Sequence, residues 1–224
     1  ADYPEFGDNK KLVPKKDMAK IVAIPKKPLT KSDVAAYATT LYNKLLVKGN
    51  AEDIALAKKI IAQSPTPYDI SRAVILCMMQ GHQQAAMLLS MKAVMAEPTN
   101  PVWQNNMAAL LTQYSYPENA VPLLRKLYLE FPDNSTVLNN LAYAWLGLGE
   151  TDSVRFFAGI SIRNNPLNPD AKLCGGLMDE LFGDPKKAGD EYTESFEDHI
   201  NPFTKQIMKN HDNANKETDF EKIK

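Results

Sequence analysis

Residues 135–166 read STVLNNLAYAWLGLGETDSVRFFAGISIRNNP, and the stretch parses as two helices joined by one tight turn. Leu138, Leu141, Ala142 and Trp145 recur at i, i+3, i+4 and i+7, the period of a helix with one buried stripe. Gly147-Leu148-Gly149 stops that helix, because glycine reaches the left-handed conformation that closes a helix without a side-chain clash. Thr151 or Asp152 then caps a second helix, with Val154, Phe157, Ala158 and Ser161 on its inner face. Pro166 ends it, since proline lacks the backbone donor and clashes with the preceding turn.

The same grammar repeats outward from this unit. Pro98, Pro132 and Pro166 stand 34 residues apart, twice in succession. A fixed period in the mid-thirties marks stacked helix pairs, each burying its apolar face only against its neighbours. One period upstream, Pro101 to Phe131 stripes its helices with Trp103, Met107, Leu110 and Leu111, then Ala120, Leu123, Leu124 and Leu127. Its turn is Tyr114-Ser115-Tyr116-Pro117 instead of glycine, with Pro117 in the first-turn position that tolerates it. Pro67 to Glu97 gives Ile70, Ala73, Val74 and Cys77, then Gly81, then Ala86, Leu89 and Ala93. Pro169 to Ile200 gives Leu173, Leu177 and Leu181, then Gly183, then Ala188, Tyr192 and Ser195. A weaker unit runs from Asp33 through Leu41 and Leu45, across Gly49-Asn50, to Ile54, Ala57 and Ile61.

The pattern resembles the tetratricopeptide repeat family. That family places an apolar residue early in its first helix, a Leu then a small residue after it, an aromatic next, and glycine at the turn. Alanine follows early in the second helix, and proline at its end. Leu138, Leu141, Ala142, Trp145, Gly149, Val154 and Pro166 fill those places, with valine where alanine is usual and Ala158 where an aromatic is usual. The expected fold is all-α: a right-handed α-solenoid of about five helix-turn-helix repeats with a C-terminal capping helix. Residues 1–31 read as an extended basic arm and 32–202 as the solenoid. Residues 203–224 read as a capping helix, Phe203 and Ile207 inward, followed by a disordered tail.

The arm carries eight lysines, from Lys10 to Lys31, and four prolines from Pro4 to Pro28. It reads either as a strap laid on the first repeat through Met18, Ile21, Val22 and Ile24, or as a basic arm for an acidic partner or anionic surface. The chain begins at Ala1, consistent with removal of a signal peptide or with a chosen boundary. Residues 14–30 also resemble the run that precedes helical repeats in exported bacterial proteins. The expected location is exported or periplasmic, with the cytoplasm as the alternative.

A formal net charge of -1 argues against a protein that neutralises many phosphates, so no nucleic-acid partner is expected. No apolar run approaches the roughly 20 residues of a membrane-spanning helix. Cys77 and Cys174 fall in different repeats and read as small buried residues. There is no phosphate loop, nucleophile elbow, His-Glu-x-x-His or close cysteine pair. His82, His199 and His211 are not spaced to hold a metal from one helix face. Glu191, Glu194, Glu197 and Asp198, with His199, form the densest acidic group, which reads as solvated charge. Asn134-Ser135-Thr136 spells a glycosylation sequon, but its place between repeats explains it as capping chemistry. No catalytic residue, metal or cofactor is expected.

The resemblance implies that first helices line a concave groove holding an extended peptide or a partner helix. Asn105 and Asn106 lie on one such helix, Asn139 and Asn140 on the next, and Asn106 and Asn140 are 34 apart. An asparagine amide can both donate to and accept from a peptide backbone, and family members that read peptides through an asparagine ladder use this position. Arg72 and Cys174 take the same place in flanking units, so the ladder has two rungs. Tyr143, Thr112 and Gln113 would face the same groove. The alternative role of the asparagines is local capping or bonding between repeats. The expected function is a non-enzymatic scaffold that binds a peptide or partner protein in the groove. The alternative is a structural or targeting module of a larger exported or envelope assembly, working through the arm and convex face.

Overall fold

The computed structural model describes residues 13–63 and 65–183. Among them are ten helices and no strand: α1 (Met18–Ala23), α2 (Asp33–Lys48), α3 (Ala51–Ile61), α4 (Pro67–Met79), α5 (Gln83–Ala96), α6 (Pro101–Gln113), α7 (Pro117–Glu130), α8 (Ser135–Gly147), α9 (Thr151–Asn164) and α10 (Pro169–Phe182). The starts of α4, α6, α8 and α10 are 34 residues apart, as are those of α5, α7 and α9.

That period is enforced at both ends of the first helices. Thr66, Asn100, Asn134 and Asn168 occupy equivalent N-cap positions, and each side chain accepts a backbone N–H of the first turn. Such a cap satisfies one of the donors that a helix start leaves open. Asn134 is therefore a cap, as its sequence context predicts. At the other end Gly81, Ser115 and Gly149 hold φ of 84°, 70° and 69°. The next residue then donates back five positions: His82 to Cys77 at 2.8 Å, Tyr116 to Leu111 at 2.7 Å, Glu150 to Trp145 at 3.0 Å. Three turns thus reverse the chain by one motif, although one of them uses serine.

The chain divides into two compact units, residues 20–130 and residues 131–183 with 13–19. In the first, the hairpins α4–α5 and α6–α7 pack by the repeat rule, and α5 is buried on most of its surface, from Ala85 through Val94. The weaker unit of Asp33 to Ile61 supplies two helices that both lie against α5 instead of forming a hairpin packed on itself. The reason is local: Gly49 is extended (φ -82°, ψ 167°), as is Asn50, so the left-handed reversal of the later turns is missing. Asp53 anchors this arrangement. Its buried carboxylate accepts the backbone N–H of Gln84 at 2.8 Å and of Ala85 at 3.3 Å, and lies 2.9 Å from His82 Nδ1. A side chain of α3 thereby caps α5, whose own cap residue His82 makes no side-chain cap bond.

The arm packs on this unit as well. Arg125 donates to the carbonyls of Pro25 and Lys26, both at 3.1 Å, while Lys20 faces Glu118 at 3.4 Å and Lys31 faces Glu130 at 3.9 Å. Tyr37 donates to the Asn119 carbonyl at 2.9 Å.

In the second unit, α8, α9 and α10 share a core of Ala142, Val154, Ala158, Cys174, Leu177 and Leu181, with Trp145 and Phe157 half-buried against it. Lys16 pairs with Glu150, and the Asp17 N–H donates to the Leu148 carbonyl at 3.0 Å. Backbone of Pro14 and Lys16 sits so close over Gly149 that a Cβ there would collide with it. The second helix expected after α10, the capping helix expected around Phe203 and Ile207, and the acidic group from Glu191 to Asp198 fall outside the described residues.

Candidate protein-binding surface

Helix α4 is apolar on two sides. Ile70, Val74 and Cys77 are buried beneath it, yet Tyr68 (67% exposed), Ile75 (51%), Leu76 (58%) and Met79 (73%) face water. With Arg72, also exposed, those four residues fall within about 100° of arc at 3.6 residues per turn. The result is a continuous outward stripe along the whole helix. Single exposed apolar residues are ordinary, but a contiguous set signals a surface that something covers.

Repeat equivalence shows why the stripe is open. One period on, Leu110 of α6 matches Leu76 but is buried, and Ala144 of α8, the next match, is buried too. The later repeats thus fill the place of Leu76, while Val102, which matches Tyr68, is 55% exposed. At α4 that place is bare, because α2 and α3 pack on α5. A repeat array whose edge is not closed by a polar cap leaves such a face for another chain.

The candidate groove residues separate between the two units. Within residues 20–130, Arg72 and Asn106 are exposed at equivalent positions of α4 and α6, and Asn105 is half-buried. Thr112 is partly buried and donates to the Ala108 carbonyl at 3.0 Å, and Gln113 is partly buried beside it. Within residues 131–183, Asn139 and Asn140 are both buried and Tyr143 is half-buried. Asn139 Oδ1 accepts from Cys174 Sγ at 3.4 Å, a bond between neighbouring repeats. Burial pushes the Cys174 thiol up to about 12, so it stays protonated and can donate. Asn106 and Asn140 therefore share a register while presenting different accessibility.

Both cysteines are buried free thiols. Among the described residues no group of three or more His, Cys, Asp or Glu side chains could hold a metal ion, and no helix is long and apolar enough to cross a membrane. Beside the stripe, hydrogen bonds from Thr66 and, more weakly, the Arg72 charge hold the Asp69 carboxyl below the usual carboxylate range. What the stripe offers is contact area, one guanidinium and, one repeat on, the Asn106 amide.

No protein-family model matches the sequence, and no curated protein matches it. Solved structures do. TTC0263, a tetratricopeptide repeat protein of Thermus thermophilus, superposes with a TM-score of 0.53 at 17% identity, covering 65% of this chain and 80% of that one. MamA from Desulfovibrio magneticus RS-1 is similar at a TM-score of 0.48 and 18% identity, over 75% of this chain and 96% of that one. The first of these likenesses, together with the capped 34-residue period, establishes the tetratricopeptide repeat fold.

Proposed function

We propose that this chain of tetratricopeptide repeat fold is a non-enzymatic protein-interaction module, and that its main contact surface is the outward stripe of α4. The observation that carries the reading is the exposure of Tyr68, Ile75, Leu76 and Met79 together, on a flank where the next repeat buries its equivalent leucine. The fitting partner is an amphipathic helix that lays its apolar side on the stripe, with a carboxylate toward Arg72 and a polar edge toward Asn106. Arm-mediated docking is less favoured by the same surface inventory. Lys16, Lys20 and Lys31 already face glutamates of this chain, which reduces the charge they can offer elsewhere.

Leu76→Glu with Met79→Glu tests the reading. Both side chains are exposed, so the melting temperature should move by no more than about 3 °C, as expected of surface substitutions. A photo-crosslinking residue at position 76 should trap one protein from the native source, and one at Leu129, which is also exposed, should not. The double glutamate should abolish the crosslink made from position 68. Equal trapping at 76 and 129 would overturn the proposal.

A further inference from the structure

A second surface in residues 20–130 has its own chemistry. Leu41 and Leu45 of α2 and Met87 and Met91 of α5 floor a small cavity whose lip carries Lys44 and Lys48. It has about 50 Å³ of room. One water needs roughly 10–15 Å³ of such space, so the cavity suits one branched side chain and not an extended ligand. Methionine walls are soft and adapt to the shape of an inserted group.

The lip is positive without compensation. No carboxylate lines the cavity, and among the described residues none pairs with Lys44 or Lys48. Lys16, Lys20 and Lys31, by contrast, each face a glutamate. Lys44 and Lys48 are four apart on α2, on one face and about 6 Å apart along the axis. That spacing matches two carboxylates four residues apart on another helix.

We propose that this cavity docks an acidic amphipathic helix of a partner protein. One apolar side chain enters between the two leucines and two methionines, and two carboxylates meet Lys44 and Lys48. Apolar burial supplies contact energy, while the charge match sets orientation and rejects basic segments. The site is lined by α2 and α5 with Leu111 of α6, Tyr116, and Asn119 of α7, and it shares no residue with the α4 stripe, so either proposal can fail without the other.

The probe is a short synthetic helix carrying one leucine flanked by two glutamates four residues apart, added to the full chain with its methionine methyls labelled with carbon-13. Met87 and Met91 methyl signals, assigned through Met87→Leu and Met91→Leu, should shift saturably. In Lys44→Glu with Lys48→Glu, both exposed positions, the affinity should fall by at least about tenfold, as for a charge-matched contact. A probe with lysine in place of glutamate should then recover binding to that variant. Unmoved Met87 and Met91 signals would overturn the proposal, and so would shifts equal for the glutamate probe and its glutamine version. Dodecanoate shifting the same methyls where the peptide does not would also overturn it, assigning the cavity to a lipid carboxylate.

Discussion

Ser115 holds a left-handed backbone where Gly81 and Gly149 stand one period away on either side. A side chain costs roughly 1–2 kcal/mol in that conformation, and the middle turn tolerates it because Tyr116 completes the same bond back to Leu111. Ser115→Gly should therefore raise stability by about 0.5–1 kcal/mol, the strain relief exceeding the added freedom of the unfolded chain, read as a higher urea midpoint. Gly149→Ala should do the opposite more severely than Gly81→Ala. Nothing crowds Gly81, whereas a Cβ at Gly149 collides with the Pro14 and Lys16 backbone. Expected losses are about 1 kcal/mol at Gly81 and about 2 kcal/mol or more at Gly149. Equal losses would show that the arm contact contributes nothing there. The asparagine pair separates in the same way. Asn140 is buried and Asn106 exposed, so Asn140→Ala should cost about 1–2 kcal/mol and Asn106→Ala less than about 0.5 kcal/mol. Urea unfolding of the two variants checks the order.

At the scale of elements, the helices from Pro67 onward were legible because their ends are written locally. A capping side chain, a proline at or near the first turn, and a turn residue at fixed spacing each act within a few residues. The pairing of α2 and α3 was not legible. Gly49 spells a closing turn, but it adopts an extended backbone, and contacts with α5 decide that. The same limit hid the α4 stripe. Leu76 and Leu110 occupy equivalent places in similar helical patterns, and only a neighbouring helix, which no local pattern encodes, makes one core and the other surface. Asp53 was missed for a related reason, since its role depends on backbone donors more than thirty residues away. Asp53→Ala strips the acceptor from two N–H groups at the start of α5 and should cost about 1–3 kcal/mol. Hydrogen exchange should quicken in α3 and the first turn of α5 together. Faster exchange in α3 alone would show that α5 does not depend on this cap.

At the scale of the molecule, cohesion within each unit is a matter of cores shared between packed helices more than of any single centre. The period disclosed which residues are equivalent, and equivalence pointed to the register of Asn106 and Asn140. Their accessibility required knowing what packs beside each helix, because equivalent positions can be buried or bare. Cohesion is testable where three helices meet. Leu177 of α10 lies in one cluster with Ala142 of α8 and with Val154 and Ala158 of α9. Leu177→Ala removes apolar contact and leaves a cavity, at an expected cost of about 3 kcal/mol. If the three helices open as one cooperative block, protection against hydrogen exchange should drop by a similar free energy across α8, α9 and α10. Loss confined to α10 would mean that the last described helix frays alone from the α8–α9 hairpin. In that case the core around Leu177 would close the end of the unit without holding its hairpin together.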